Sequence, residues 1–377
     1  MSLIFKLASR NLFQDRLRFI ATLVGIVFSI VLVTIQLGLF LSFDRMVTTM
    51  IDHAPADLWI VPFGTKCFED PSMLDEHARQ QALSIPGIAE AVPLMIGFTQ
   101  WAVPDGGTTP VFIVGLDPSA AGLHPWNIIA GDLADLSASD AIAIDRAYFA
   151  RLGVTGVGDT VEIRARKAKV VAVTDGIRSF TTTPYVFTTL ARAQSYIGTP
   201  TNRFSYLLVH VAADANIDDI RKQLLARLAK VEVLTPAEFS SRSRTFWLFG
   251  TGAGAALFAG ALLGAIVGTV IVAQTLYSST KDHLNEFATL RAIGSSNIYI
   301  LKVIIWQALL SAVIGFSLAA GIGVIIVEMT AGTALPIVMT PQLTMGLFLL
   351  TVLMSFASAT AAIVQVMRID PVRVFTQ

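Results

Sequence analysis

Few residues of this 377-residue chain have the types and spacing that chemistry needs. Its five histidines, His53, His77, His124, His210 and His283, show no metal-ligand spacing. No G-x-x-x-x-G-K-[ST] run offers backbone amides to phosphates, so the chain cannot hydrolyse nucleotide itself. Neither G-x-S-x-G nor H-E-x-x-H occurs, which argues against a hydrolase, and no cofactor is expected in the chain. Cys67 is the single cysteine; it makes no internal disulfide and reads as a buried thiol. What remains is recognition. In the segment from Lys281 to Gly294, Leu284, Phe287, Leu290 and the pair Ala288 and Arg291 fall on adjacent helical faces, and Gly294 can end that helix in a left-handed cap. A short capped helix of this kind can insert into a groove on a soluble partner. A solvated turn would have no need to expose Phe287, Leu290 and Ile293 to water.

The elements that must present this segment are membrane helices. Hydrophobic residues make up 54% of the chain and charged ones only 14%, which excludes an ordinary soluble domain. The charges concentrate between Asp44 and Arg244, and long uncharged stretches cover 19–43, 245–280, 303–327 and 329–367. A bilayer core of about 30 Å needs roughly 20 apolar residues per helix, so each stretch can span. The expected fold is therefore a membrane α-helical bundle of four transmembrane helices, one plus three. A large mixed α/β extracytoplasmic domain is inserted between helices 1 and 2.

The boundaries read as follows. Residues 1–18 suit a cytoplasmic interfacial helix, with a plain cationic flank as the alternative. Residues 19–43 form the first span, too long and without a cleavage site to be a signal peptide, and 44–244 the outer domain. Span two covers 245–280, and its excess length is expected to rise as a stalk carrying Phe246 and Trp247. A cytoplasmic loop at 281–297, spans at 298–327 and 342–367, an outer loop at 328–341 and a tail at 368–377 complete the chain. Lys6, Arg10, Arg16 and Arg18 precede span one, Lys281, Arg291 and Lys302 lie around the second loop, and Arg368 and Arg373 follow the last span. The outer loop has neither Lys nor Arg, so both termini are expected in the cytoplasm.

Within the outer domain, Ser72 and Asp75 are positioned to cap a helix reaching about Leu83. Strand-like runs fall at Ile88–Ile96, Val111–Leu116, Ala141–Ile144, Thr160–Ala165, Lys169–Thr174 and Phe204–Val211. Helical patterns fall at Arg146–Leu152, Leu190–Tyr196 and Ile217–Lys230, and a portion near 105–200 reads as an inserted subdomain. In span two, small residues recur at Gly252, Ala256, Gly260, Gly264 and Gly268, and in span three at Ser311, Gly315, Ala319 and Gly323. Such rows let helices approach closely in lipid, within a subunit or across a dimer, and chance is the alternative. The uncharged stretches hold no carboxylate to bind a coupling ion, and Glu328 reads as a solvated interfacial group. Energy must arrive by another route, or the protein is not a pump.

At this point the residues meet a family. Glu286, Leu290, Arg291, Ala292, Ile293 and Gly294 resemble the E-I-G-x-L-R-A-x-G signature of MacB–FtsX-type ABC permeases, with Phe287 and Ala288 replacing the usual Ile and Gly. The run Arg10-Asn11-Leu12 through Gly25-Ile26 resembles the family's entry, and Ile369-Asp370-Pro371 through Phe375 its tail. Ala56–Ile60, Pro86–Pro93 and Gly97–Trp101 look most like DevC-like permeases. The resemblance implies a non-catalytic homodimeric permease bound to two cytoplasmic ABC ATPase subunits, which hold ATP and Mg. Glu286, Phe287, Leu290, Arg291, Ala292, Ile293 and Gly294 would then form the coupling helix. It also implies a bacterial inner membrane, a periplasmic membrane-fusion adaptor, an outer-membrane channel and a lipid-like or amphiphilic cargo. The bundle would meet membrane lipid and no nucleic acid. A non-exporting signal transmitter and a haem- or lipoprotein-handling permease are the alternatives.

Overall fold

A computed structural model of the chain describes residues 3–70, 72–104, 106–282, 286, 289 and 294–367. The chain begins with helices α1 (Leu3–Gln14) and α2 (Arg16–Asp52). A mixed α/β region follows. Its strands are β1 (Leu58–Pro62), β2 (Leu74–Asp75), β3 (Ile88–Ala102), β4 (Thr108–Leu116), β5 (Ile128–Gly131), β6 (Ala141–Asp145), β7 (Thr160–Ile163), β8 (Arg166–Thr174), β9 (Tyr185–Thr189), β10 (Arg203–Phe204), β11 (Tyr206–Val211) and β12 (Val231–Leu234). Its helices are α3 (Glu76–Leu83), α4 (Phe149–Leu152), α5 (Leu190–Ile197), α6 (Ile217–Arg227) and α7 (Pro236–Thr245). Helices α8 (Ala253–Asp282), α9 (Asn297–Thr330) and α10 (Pro341–Met367) complete the described chain. Four helices, α2, α8, α9 and α10, are long and apolar enough to cross a membrane. The structure therefore has the expected class: four spans, with a large α/β domain between the first and second.

Two compact units result: a bundle of Met1–Leu41, Ala255–Ala331 and Pro336–Gln377, and a module of Ser42–Gly254 with Gly332–Leu335. The module is built on one sheet ordered β12-β1-β11-β3-β4-β9-β6-β8-β5, with β7 bridging β3 and β8. β3 organises it. Its first half pairs antiparallel with β11, Leu94 opposite Tyr206, and its second with β4, Met95 opposite Gly115. The pairs β4–β9 and β6–β8 run parallel. Large rings fill the core: Trp59, Phe68, Tyr206 and Phe239 are all fully buried. Trp59 packs 5.3 Å from Phe239 and 5.9 Å from Tyr206, centroid to centroid. Burying rings of this size is the largest apolar contribution a side chain makes to folding.

Local chemistry corrects several expected boundaries. Asp75, not Ser72, caps α3 by accepting from the Ala78 amide; the Ser72 hydroxyl donates to Asp70 instead. The strand expected to reach Ala165 ends at Ile163, because Arg164 and Ala165 turn the chain at positive φ. Helix α6 stops at Arg227 rather than Lys230, which itself has φ +58°. Strands β1, β5, β9 and β12 and helix α7 add to the pattern read from sequence. Residues 245–280 are not one helix. The last turn of α7 passes into a π-type turn, Phe246–Gly250, and Gly252 at φ +77° breaks the chain before α8 begins. Thr251 fixes this break: its amide bonds the Phe246 carbonyl, its hydroxyl donates to the Trp247 carbonyl, and its oxygen accepts from the Ala253 amide.

In the bundle, close contacts fix helix directions. Gly25 meets Ile271 and Gly260 meets Gln36, so α2 and α8 run antiparallel. Gly315 meets Ile26 and Gly323 meets Thr34, so α2 and α9 run parallel. Helix α1 lies along α9, with Phe5 edge-on to Trp306 at 5.6 Å and Ala8 fully buried. Phe316 and Phe348 join α9 to α10 at 5.2 Å.

Candidate functional site

Of the residues expected to couple to a partner, Glu286 is helical and exposed, and Gly294 turns the chain at φ +99°. Phe287, Leu290, Arg291, Ala292 and Ile293 lie outside the described residues, as does the tail from Arg368. Ser296 then caps α9 by accepting from the Tyr299 amide. At the opposite ends of the chain's first two spans, Arg18 of α2 pairs with Asp282 and donates to the Ser278 carbonyl at 3.3 Å.

The small-residue rows divide. Gly260, Gly264 and Gly268 face α2 within the same chain; a Cβ at Gly268 would overlap Ser29, and one at Gly264 would lie 3.2 Å from Leu32 and Val33. Ser29 donates to the Gly264 carbonyl at 2.7 Å, a hydrogen bond that only this close approach permits. Ala256 is exposed, and Gly252 sits in the break with nothing within 4 Å of where a Cβ would lie, so neither packs against a helix of this same chain. In α9, Ser311 and Ala319 are fully buried, and Gly315 and Gly323 face α2. Helix α2 is thus held between two glycine-bearing helices.

Sequence reasoning missed a second constellation, where α2 ends and the chain approaches α8. One face of α7 and of the π-type turn that continues it carries it, at Ser240, Ser243 and Arg244 and then Trp247, the spacing that places residues on one helical side. Ser240 donates to Asp52 at 2.8 Å and Arg244 pairs with Asp44 at 2.6 Å, tying α7 to the end of α2. Ser243 accepts from the Phe68 amide at 3.1 Å. The loop of Phe68 wraps the buried Tyr206 hydroxyl, which lies 2.8 Å from the Phe68 carbonyl and 3.0 Å from that of Asp70. That loop delivers Glu69, only 7% exposed, to the π-type turn. Its carboxylate accepts from the Trp247 indole N–H at 3.0 Å and the Tyr185 hydroxyl at 3.1 Å.

Burial pushes the Glu69 carboxyl up to about 7, against the lowering pull of these hydrogen bonds. Cys67, beside it, is buried and pushed up to about 12 by desolvation and by the Glu69 charge, so its thiol is unreactive at neutral pH. Phe180 closes the constellation, its ring tilted against Trp247 at 4.5 Å and edge-on to Phe43 of α2 at 4.9 Å. The loop carrying Phe180 is fixed by buried Asp145, which accepts from the Ile177 amide at 2.7 Å, and by Tyr148, whose hydroxyl accepts from the Ser179 amide at 3.0 Å. Among the described residues, no three His, Cys, Asp or Glu side chains gather closely enough to hold a metal. Nothing in this geometry activates a nucleophile. It joins helices.

The sequence itself carries the identification. The MacB-like periplasmic core domain matches residues 19–227, and the FtsX-like permease C-terminal region matches residues 241–371. The chain belongs to the MacB/FtsX permease family, and is an ABC-type transmembrane permease with a periplasmic α/β domain in a multi-pass membrane fold. Among solved structures it is similar to the periplasmic region of MacB from Actinobacillus actinomycetemcomitans, at 13% identity over 51% of this chain and 94% of that one, with a TM-score of 0.38. It is also similar to the extracellular domain of the noncanonic ABC-type transporter YknZ from Gram-positive bacteria, at 13% identity over 48% and 99%, with a TM-score of 0.36. No curated protein matches the chain.

Proposed function

We propose that this permease is the membrane subunit of an export complex that relays ATP-driven motion from a separate cytoplasmic ATPase to its periplasmic domain. The observation that carries this reading is where charge lies in the described spans. Arg16, Arg18, Asp44, Arg45, Asp52, Lys281, Asp282, Lys302 and Glu328 all fall near helix ends, and α10 has no charged residue in its described length. An ion-driven carrier needs an ionisable group or a broken helix at mid-membrane. Work must therefore enter from a partner that holds ATP and Mg.

In this reading both termini are cytoplasmic and the helix of Glu286 to Gly294 seats on the ATPase, with Phe287, Leu290 and Ile293 as apolar anchors. A homodimer of the permease binds two ATPase subunits. Helix α2 is one continuous helix of 37 residues, which suits a relay. The likeness to DevC-like permeases extends the reading to an adaptor, an outer-membrane channel and an amphiphilic cargo. The test is Leu290→Asp, co-expressed with the cognate ATPase. A charge in an apolar groove should release the ATPase on purification and abolish permease-stimulated ATP turnover, while leaving the permease folded. Unchanged co-purification with unchanged turnover would remove the coupling helix from the reading.

A further inference from the structure

Glu69 stands out among the buried groups because, among the described residues, no Lys, Arg or His side chain forms a salt bridge with it. The groups facing it are Cys67 and Asp70 from its own loop, Tyr185 from β9, Tyr206 from β11 and Trp247 from the π-type turn. Three of these can carry only negative charge besides Asp70, and Trp247 carries none. A carboxylate so placed is held by neutral donors alone, and desolvation opposes its ionised form more than those donors favour it. The site is also poised to accept a proton without losing its contacts. The Tyr185 hydroxyl lies 3.1 Å from the Glu69 carboxylate. When Glu69 is ionised, the Tyr185 hydroxyl donates to it. When Glu69 is protonated, its O–H can donate to the Tyr185 oxygen, while the other carboxyl oxygen still accepts from Trp247.

We propose that Glu69 is a proton-operated latch: protonated, it seats Trp247 and fixes the turn that precedes α8; ionised, it frees that turn to move. The turn is built to move. A π-type turn carries one residue more than an α-helical turn, and Gly252 follows it at a φ that other residues rarely adopt. Phe249 of the turn is 67% exposed, so Trp247 and buried Leu248 are its inward anchors. Opening the turn admits water to Glu69 and returns its carboxyl to the ordinary range. The seated state therefore binds the proton more tightly than the open state. Its advantage is complete below the ordinary carboxyl value of 4.5 and is lost as pH rises through about 7.

The experiment follows amide hydrogen exchange of residues 248–254 in the full-length chain in lipid nanodiscs, corrected for the intrinsic rate at each pH. It requires neither ATP nor a partner, so its outcome is separate from that of the relay proposed above. Two carboxyl values of 4.5 and about 7 predict that protection falls on the order of 70-fold between about pH 5 and about pH 8. Glu69→Gln, fixed in the neutral form, should keep the protected level throughout that range. Trp247→Phe preserves the ring but removes the N–H that favours the carboxylate, so it should move the midpoint to higher pH. Protection independent of pH in the unaltered protein, or the same pH response in Glu69→Gln, would overturn the latch. If Glu69→Gln fails to fold, Trp247→Phe decides: an unmoved or lowered midpoint overturns it.

Discussion

The periplasmic module and the membrane bundle pack their interiors by opposite means. The module buries Trp59, Phe68, Tyr185, Tyr206 and Phe239, and its buried polar groups bond across long stretches of sequence. The bundle packs α2 against glycines, and several of its buried hydroxyls bond within their own helix: Thr22 to the Arg18 carbonyl, Thr34 to Ile30, Thr351 to Leu347. The difference follows from solvent. Water drives large rings together around the module's sheet, whereas lipid is as apolar as a leucine side chain and gives helices no such push. What draws the bundle together is close backbone approach, and glycine permits it.

The largest expected effect tests the module. Trp59→Ala removes a ring that three others surround, and should destabilise the module by about 3–5 kcal/mol. A urea series of the full-length protein with limited proteolysis would show cleavage within 58–240 at lower denaturant, with the helices of the bundle unaffected. Equal loss in both units would mean that the two interiors do not fold on separate terms.

Next comes the bundle's own core. Gly268→Leu would drive a branched side chain into Ser29 and Met354, both already in contact range of a single added carbon. Overpacking of this kind costs roughly 1–3 kcal/mol. Gly252→Leu, a substitution of the same size outside any helix, meets no neighbour but is strained by its φ of +77°. The measurement is resistance of the bundle to denaturing detergent: Gly268→Leu should lower it, and Gly252→Leu should leave it unchanged while disturbing only the turn. Reversal of that order would remove the glycine seam as the basis of bundle packing.

These contrasts also explain what the sequence made legible. Uncharged runs announce the spans because a bilayer demands a single property over many consecutive residues. Glycine spacing announced a seam, but which glycines pack depends on the break at Gly252, and that break needs the Thr251 hydrogen bonds to be seen. Strand β9, buried at four of its five positions, has no alternation to betray it, and β5 is exposed at three of its four, so neither shows a period of two. The Glu69 junction was illegible for a different reason. Its partners Tyr185 and Trp247 stand 116 and 178 residues away, and nothing local marks Glu69 as buried. Only the excess length of 245–280, with Phe246 and Trp247 at its start, pointed to that place.

A smaller effect separates charge at the module surface from charge in its interior. Glu232 is held below the ordinary carboxylate range, first by its hydrogen bond from Arg242, whose contact is 2.6 Å. Its contribution is present above the ordinary value and lost as pH falls through its own, the reverse of Glu69. A half-exposed pair of this kind is worth about 1 kcal/mol at most. Arg242→Met should therefore flatten the acid limb of the module's stability curve and leave the region near neutrality alone. A change near pH 7 instead would tie Arg242 to the Glu69 site.

The smallest effect falls on Ser29, and it decides what holds the seam. Its hydroxyl donates across to the Gly264 carbonyl, which still lies within α8 and keeps its helical bond when the hydroxyl is removed. Ser29→Ala keeps the small volume that Gly268 and Gly264 require and deletes only the cross-helix bond. Such bonds between membrane helices average about 0.6 kcal/mol and reach about 1.7. Resistance to denaturing detergent should fall by no more than that, well short of Gly268→Leu. If Ser29→Ala proved as damaging as Gly268→Leu, hydrogen bonding rather than close approach would be the force that joins α2 to α8, and the contrast with the module would narrow, since both interiors would then depend on polar bonds made across the sequence.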